Sequence, residues 1–226
     1  MLLPGMDGTG TLFEPFCRAL GGSVPTVVIN YPTDERLSYE ELENLALRAL
    51  PTHGVHVLLA ESFSGPIAIN LASRKAAGLR GVILCASFAK SPGPEWLRWI
   101  ARSCLVRVGL RPALLRTFLM GPECPSSLVA AVSEAIRSVE PAVLARRLQE
   151  VLRVDVTRSL QACGVPLVYV VGTGDRLLGN RGLKLIKAVK PEVTCLSVDG
   201  PHLLLQCRPH EVAQAVQHLL HGWLAS

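Results

Sequence analysis

The chain has 226 residues, 49% hydrophobic, 18% charged and 5% aromatic, with a formal net charge of +5. That length allows one sizeable core. The sparse charge, with no basic run interleaved with aromatics, excludes a nucleic-acid binder, and no apolar run reaches the ~18–20 residues that cross a bilayer.

In chain order, the opening "MLLPGMDGTG" lacks a basic segment followed by a long apolar stretch, so no signal peptide is expected and the protein is read as cytoplasmic. Its "MLLPG" is the first of six short, nearly continuous apolar runs. The others are "TVVINY" (26–31), "HVLLAE" (56–61), "GVILCAS" (81–87), "PLVYVVGT" (166–173) and "VTCLSVDG" (193–200). Continuous rather than alternating hydrophobicity marks strands buried on both faces. Helical patterns separate them. Residues 38–50 place Leu42, Leu45 and Leu50 on one face, with Ser38 and Glu41 at capping-box spacing. Residues 65–78 form a second helix closed by Gly78. Residues 209–224 form a last one, entered at Pro209. Strands alternating with helices predict an α/β protein, with a mostly parallel sheet of about six strands covered on both faces.

Residues 88–160 break the alternation. They contain several helix-like segments punctuated by Pro92, Pro94, Pro112, Pro122, Pro125 and Pro141, and no convincing strand. Two units are therefore expected: a core of residues 1–87 with 161–226, and a helical cap or lid of residues 88–160 over the edge where the strands end.

Ser62 lies where the strand 56–61 stops and a helix begins, flanked by the small residues Ala60, Ser64 and Gly65. A serine there can simply cap the helix. A hydroxyl on such a tight turn is also presented at the C-terminal edge of the sheet, and it acts as a nucleophile when a base and an orienting carboxylate reach it. His202, after the last strand, shares that edge. His53 and His56 lie at the opposite end, and His210, His218 and His221 belong to the last helix. Asp175, on the Gly-rich turn after strand 166–173, is the expected carboxylate, with Asp199 beside Gly200 as its competitor. Backbone N–H groups for a developing oxyanion are expected from Phe63, immediately after the serine, and from Met6 in "PGMDGTG". That loop lacks the lysine and the glycine spacing of phosphate-binding loops.

Seven cysteines, odd in number and never in a CxxC pair, argue against a disulfide framework or zinc site. His53 and His56 have no further ligand nearby. No metal and no organic cofactor is expected.

With "LPGMDGTG" as the loop, "AESFSG" as a small-x-Ser-x-small nucleophile elbow, and the order Ser62, Asp175, His202, the chain resembles the α/β-hydrolase superfamily, in particular small microbial carboxylesterases. The resemblance runs nearly the whole length. Pro4 stands where that loop usually carries a histidine, which leaves the backbone donor intact, and the chain opens almost on the loop's strand, where the full family core has two strands before it. The resemblance implies the α/β-hydrolase fold and a serine carboxylesterase acting on small esters of short to medium acyl chain. Plant plastid acyltransferases have similar loops and elbows, so acyl transfer to an alcohol is the alternative, and a non-catalytic binding protein of this fold the third reading. Trp96, Trp99, Leu115 and Phe118 of the insertion are expected to line the acyl pocket. Arg98, Arg102, Arg107, Arg111 and Arg116 read as its solvated surface rather than as a membrane-binding face.

Overall fold

A computed structural model of the chain describes residues 1–22, 24–93 and 112–225. Five parallel strands form one sheet: β1 (Leu2–Leu3), β2 (His56–Glu61), β3 (Leu79–Cys85), β4 (Leu167–Gly172) and β5 (Thr194–Val198), lying side by side in chain order. The register pairs Leu3 with Ala60, Ala60 with Leu84 and Leu84 with Tyr169, so the central strands end together.

Successive side chains point to opposite faces, and both faces are buried over β1, β2, β4 and most of β3, as their unbroken apolar runs require, while the edge strand β5 leaves Thr194 and Ser197 exposed. On one face Leu58, Ala60, Val82, Leu84 and Tyr169 join a core cluster with α2 (Tyr39–Arg48), α3 (Gly65–Ser73), α7 (Thr157–Ala162) and α8 (Arg181–Val189). On the other, Val57, Leu59, Ile83, Cys85, Val168 and Val170 pack with α1 (Glu14–Leu20), α9 (Leu204–Cys207) and α10 (Pro209–Ala225). Each such leucine or valine contributes about 1.5–3 kcal/mol relative to exposure.

The sixth expected strand, 26–31, shrinks to a single parallel bridge between Leu2 and Val28. Leu2 N–H donates to Val27 C=O at 2.8 Å and Ile29 N–H to Leu2 C=O at 3.0 Å. The ladder stops there because β1 is two residues long and Pro4 has no N–H to extend it. Helix α2 carries the full capping box of Ser38 and Glu41. Helix α3 ends at Ser73 rather than near Gly78. Lys75, at φ 53°, turns the chain out, and Gly78, at φ +80°, packs against Gly54 at the entry to β3. Helices α1, α7, α8 and α9 add to those read from the sequence.

Between β3 and β4 the described residues are largely helical. α4 (Pro112–Leu115) runs into a π-wound turn at Arg116–Met120, followed by α5 (Ser126–Arg137) and α6 (Pro141–Arg153). Lys90 and Asp155 form an isolated antiparallel bridge and an ion pair at 3.0 Å that tie the two ends of this segment together. Among the described residues no helix is long and apolar enough to cross a membrane.

Candidate functional site

The centre of the site is the corner between β2 and α3. Ser62 has φ 43°, a left-handed conformation that strains a serine by roughly 1–3 kcal/mol and persists only where its surroundings hold it. They do so from several sides. Ser62 C=O accepts from Ser87 Oγ at 2.5 Å, and Tyr169 OH donates to Ser87 C=O at 2.7 Å. Ser64 Oγ donates to Pro4 C=O, so it must accept from Tyr31 OH at 2.8 Å. The Phe63 ring stacks on Tyr39 with centroids 4.7 Å apart, and Tyr39 OH donates to Phe63 C=O at 2.8 Å. Gly65 is obligatory, since a Cβ there would overlap the Ser87 side chain.

Three sequence-predicted residues meet at this corner. Ser62 Oγ lies 2.9 Å from His202 Nε2, and His202 Nδ1 lies 2.8 Å from Asp175 Oδ2. His202 is 2% and Asp175 8% exposed, while Ser62 keeps contact with solvent. The second Asp175 oxygen accepts from the Leu177 and Leu178 N–H groups at 2.8 and 2.9 Å. Burial pulls the Asp175 carboxyl upward. The His202 hydrogen bond and charge, with those two amides, outweigh it and hold the group below the ordinary aspartate range. An ionised Asp175 assigns the proton to Nδ1, leaving the Nε2 lone pair facing the Ser62 hydroxyl. Asp199 turns elsewhere: its carboxylate accepts from Thr173 Oγ1 at 2.9 Å. His210, His218 and His221 are exposed on α10, and His56 is buried at the start of β2.

The loop after β1 abuts this corner. Gly8 N–H donates to Gly5 C=O at 3.1 Å, closing a turn around Met6 and Asp7. Met6 N–H has no acceptor among the described residues. The Phe63 N–H lies in the first turn of the helical stretch that begins at Ser62, where amides lack intrahelical acceptors. Of the expected pocket residues, Trp96 and Trp99 lie outside the described residues. Leu115 is buried in a cluster with Leu12, Met120 and Leu203, and Phe118 is 45% exposed. Leu203 N–H donates to Leu119 C=O at 2.9 Å, which sets the π-wound turn beside the backbone of His202.

Sequence reasoning missed Arg147, Glu61 and the hydroxyls of Ser64 and Ser87. Arg147 carried a signal. It falls three and four residues from Leu144, Val143 and Val151, placing a charge on the apolar stripe of α6. Glu61 is a carboxylate closing a strand whose interior, Val57–Ala60, is apolar. The two serines gave no sign beyond being small. Among the described residues no group of three or more His, Cys, Asp or Glu is arranged to hold a metal ion, and six cysteines are unbridged.

No family model matches the chain, and no curated protein matches it. Solved structures do. A thermophilic esterase from Thermogutta terrifontis superposes with a TM-score of 0.82 at 20% identity, covering 99% of this chain and 89% of that one. An esterase from Exiguobacterium antarcticum gives 0.83 at 13% identity, covering 97% and 90%. A hydrolase from Pseudomonas aeruginosa PA01 gives 0.83 at 17% identity, covering 97% and 88%. With its parallel sheet, flanking helices and near-complete superposition on these structures, the chain has the α/β-hydrolase fold.

Proposed function

We propose that the protein is a serine carboxylesterase that hydrolyses small esters of short to medium acyl chain through an acyl-enzyme. The observation that carries this reading is the unbroken series Ser62–His202–Asp175, at 2.9 and 2.8 Å, on a serine held at positive φ. Esterases and a hydrolase among the structural neighbours support it.

In the first half-reaction Ser62 Oγ attacks the ester carbonyl carbon while His202 Nε2 takes its proton. Asp175 holds the ring and offsets the charge of the imidazolium. The Met6 and Phe63 amides donate to the carbonyl oxygen as it becomes an oxyanion. When the tetrahedral intermediate collapses, the C–O bond to the alcohol breaks and His202 returns the proton to the departing oxygen. Water then repeats the sequence on the acyl-enzyme, releasing the acid and restoring Ser62. The helical segment between β3 and β4 caps the acyl pocket. Phe118, whose ring is exposed, and Leu115 are contributed by that segment.

A chain-length series of p-nitrophenyl esters tests the proposal on wild type and Ser62→Ala. The expected pattern is a maximum at short to medium chains, with the variant slower by roughly 10⁴-fold or more, and covalent labelling of wild type alone by a fluorophosphonate. A Ser62→Ala protein with near wild-type turnover removes the serine from the chemistry.

A further inference from the structure

Arg147 is 2% exposed in α6, yet it forms no salt bridge among the described residues. Its guanidinium is spent on main-chain carbonyls. Nη1 donates to Met6 C=O at 2.8 Å and to Asp7 C=O at 2.7 Å, and Nη2 donates to Pro32 C=O at 2.8 Å. Its carbon lies 5.8 Å over the Tyr31 ring. Burial lowers the tendency of this group to hold its charge, and the nearby Asp7 and Tyr31 restore part of it. Removing a guanidinium from water is expensive, so what it organises matters.

It organises the loop that carries Met6. Two consecutive carbonyls, of Met6 and Asp7, turn toward one nitrogen. That arrangement needs Gly8 at φ +72°, where a Cβ would stand 2.6 Å from Nη1. The Gly5 carbonyl accepts from Gly8 N–H on the inside of the same turn. Because the peptide is planar and trans, the N–H of Met6 is then aimed the opposite way, out of the turn. The Pro32 bond fixes the loop against the segment that also carries Tyr31, and through Tyr31 to Ser64 at the elbow.

Resting on the ester-hydrolase reading above, we infer that Arg147 is a positioning residue for the oxyanion site: from the helical segment it locks the loop in the one conformation that presents the Met6 amide. Its removal acts on the transition state rather than on substrate binding. Lysine keeps the charge and reaches one or two carbonyls, but it lacks the planar fork that spans to Pro32.

The test compares wild type, Arg147→Lys and Arg147→Met in p-nitrophenyl butyrate hydrolysis. Active sites are counted by fluorophosphonate labelling, and amide exchange is followed at Gly8 and Tyr31. The expected kcat per labelled site falls about 10²-fold in the methionine variant, as for loss of one oxyanion donor. KM stays within about threefold, the lysine variant recovers part of the loss, and the two amides exchange faster. Wild-type kcat per labelled site in either folded variant, or a loss shared equally by kcat and KM, overturns the proposal. Should the methionine variant fail to fold, the lysine variant alone decides, by its kcat and its Gly8 exchange. A wild type that neither labels nor hydrolyses overturns the ester-hydrolase reading and this proposal with it. An active wild type with insensitive variants overturns this proposal alone.

Discussion

Replacing Glu61 by glutamine changes how stability depends on pH, with a size set by the position of that carboxyl. Glu61 ends β2 next to Ser62 and is 2% exposed, with one oxygen 3.3 Å from where a Gly5 side chain would begin. Burial first, and the Asp7 charge second, push its pKa up to about 8, against the pull of Gln206 and the Gly5 amide. Its other oxygen makes no hydrogen bond, and the Gln206 amide pulls on it without closing one, so little offsets the burial. In the unfolded chain the group releases its proton near 4.5. Between those values the folded protein holds a proton that the unfolded chain has lost, so stability declines as pH rises through this window and levels off above about 8. At about 1.4 kcal/mol per pH unit the whole window is worth about 5 kcal/mol, of which about 2–3 kcal/mol falls between pH 6 and 8. The buried Met1 amine, lowered to about 6, and His56, also lowered by burial, drive stability the other way as pH rises. They are common to both proteins and cancel in the difference. Urea unfolding of wild type and Glu61→Gln from pH 6 to 9 therefore reads Glu61 directly. The stability of the glutamine variant relative to wild type rises by about 2–3 kcal/mol from pH 6 to 8 and then flattens. A difference independent of pH refutes the raised carboxyl.

Ser64→Ala leaves Tyr31 OH and Pro4 C=O without their buried partner; urea unfolding is expected to show a loss of about 1–3 kcal/mol, and a change within about 0.5 kcal/mol contradicts the hydrogen-bond assignment. Gly65→Ala drives a methyl into the Ser87 side chain and displaces the hydroxyl that holds the Ser62 carbonyl. A loss of about 1–3 kcal/mol accompanied by lower turnover per folded molecule, read by thermal unfolding beside the ester assay, is the expected pair. Full turnover in a stable variant contradicts the role given to Ser87.

The central strands were legible because burial on both faces leaves an unbroken apolar run, and β2, β3 and β4 lie within one or two residues of such runs; β5 lies within the run at 193–200 although, at the sheet edge, it leaves Thr194 and Ser197 exposed. The run at 26–31 is equally apolar but fails as a strand, because pairing depends on the neighbour's length, and β1 is cut short at Pro4. The meeting of Ser62, His202 and Asp175 was legible from topology alone, since parallel strands bring their C-terminal ends to one edge. Asp175 was also preferred from the sequence, with Asp199 read as a turn residue beside Gly200. Both follow strands at that edge, and only the direction of the turn separates them: the Leu177 and Leu178 amides fold back on Asp175, while Asp199 bonds Thr173. Arg147 stood out as a charge on the apolar stripe of α6, but its role was illegible. Its partners are carbonyls 115 to 141 residues away, and backbone carbonyls carry no sequence signal.

The chain holds three tyrosines, and all three stand around the elbow: Tyr31 on Ser64, Tyr39 on Phe63, Tyr169 on the carbonyl of Ser87. Each is a member of the core cluster on the α2–α3 face of the sheet. A buried phenol must find a hydrogen-bond partner, and here every partner is a residue that holds Ser62 in its strained conformation or the segment directly after it. The strain is thus carried by the apolar core of one face, through rigid rings whose far ends are polar. The opposite face, packed by α1 and α10 with Phe13, Phe16 and aliphatic side chains, has no tyrosine. Both faces bury apolar side chains, but the tyrosine hydrogen bonds that reach the elbow come from the first. On the ester-hydrolase reading, activity is therefore expected to follow packing on that face, because the phenol hydrogen bonds to the elbow all come from it.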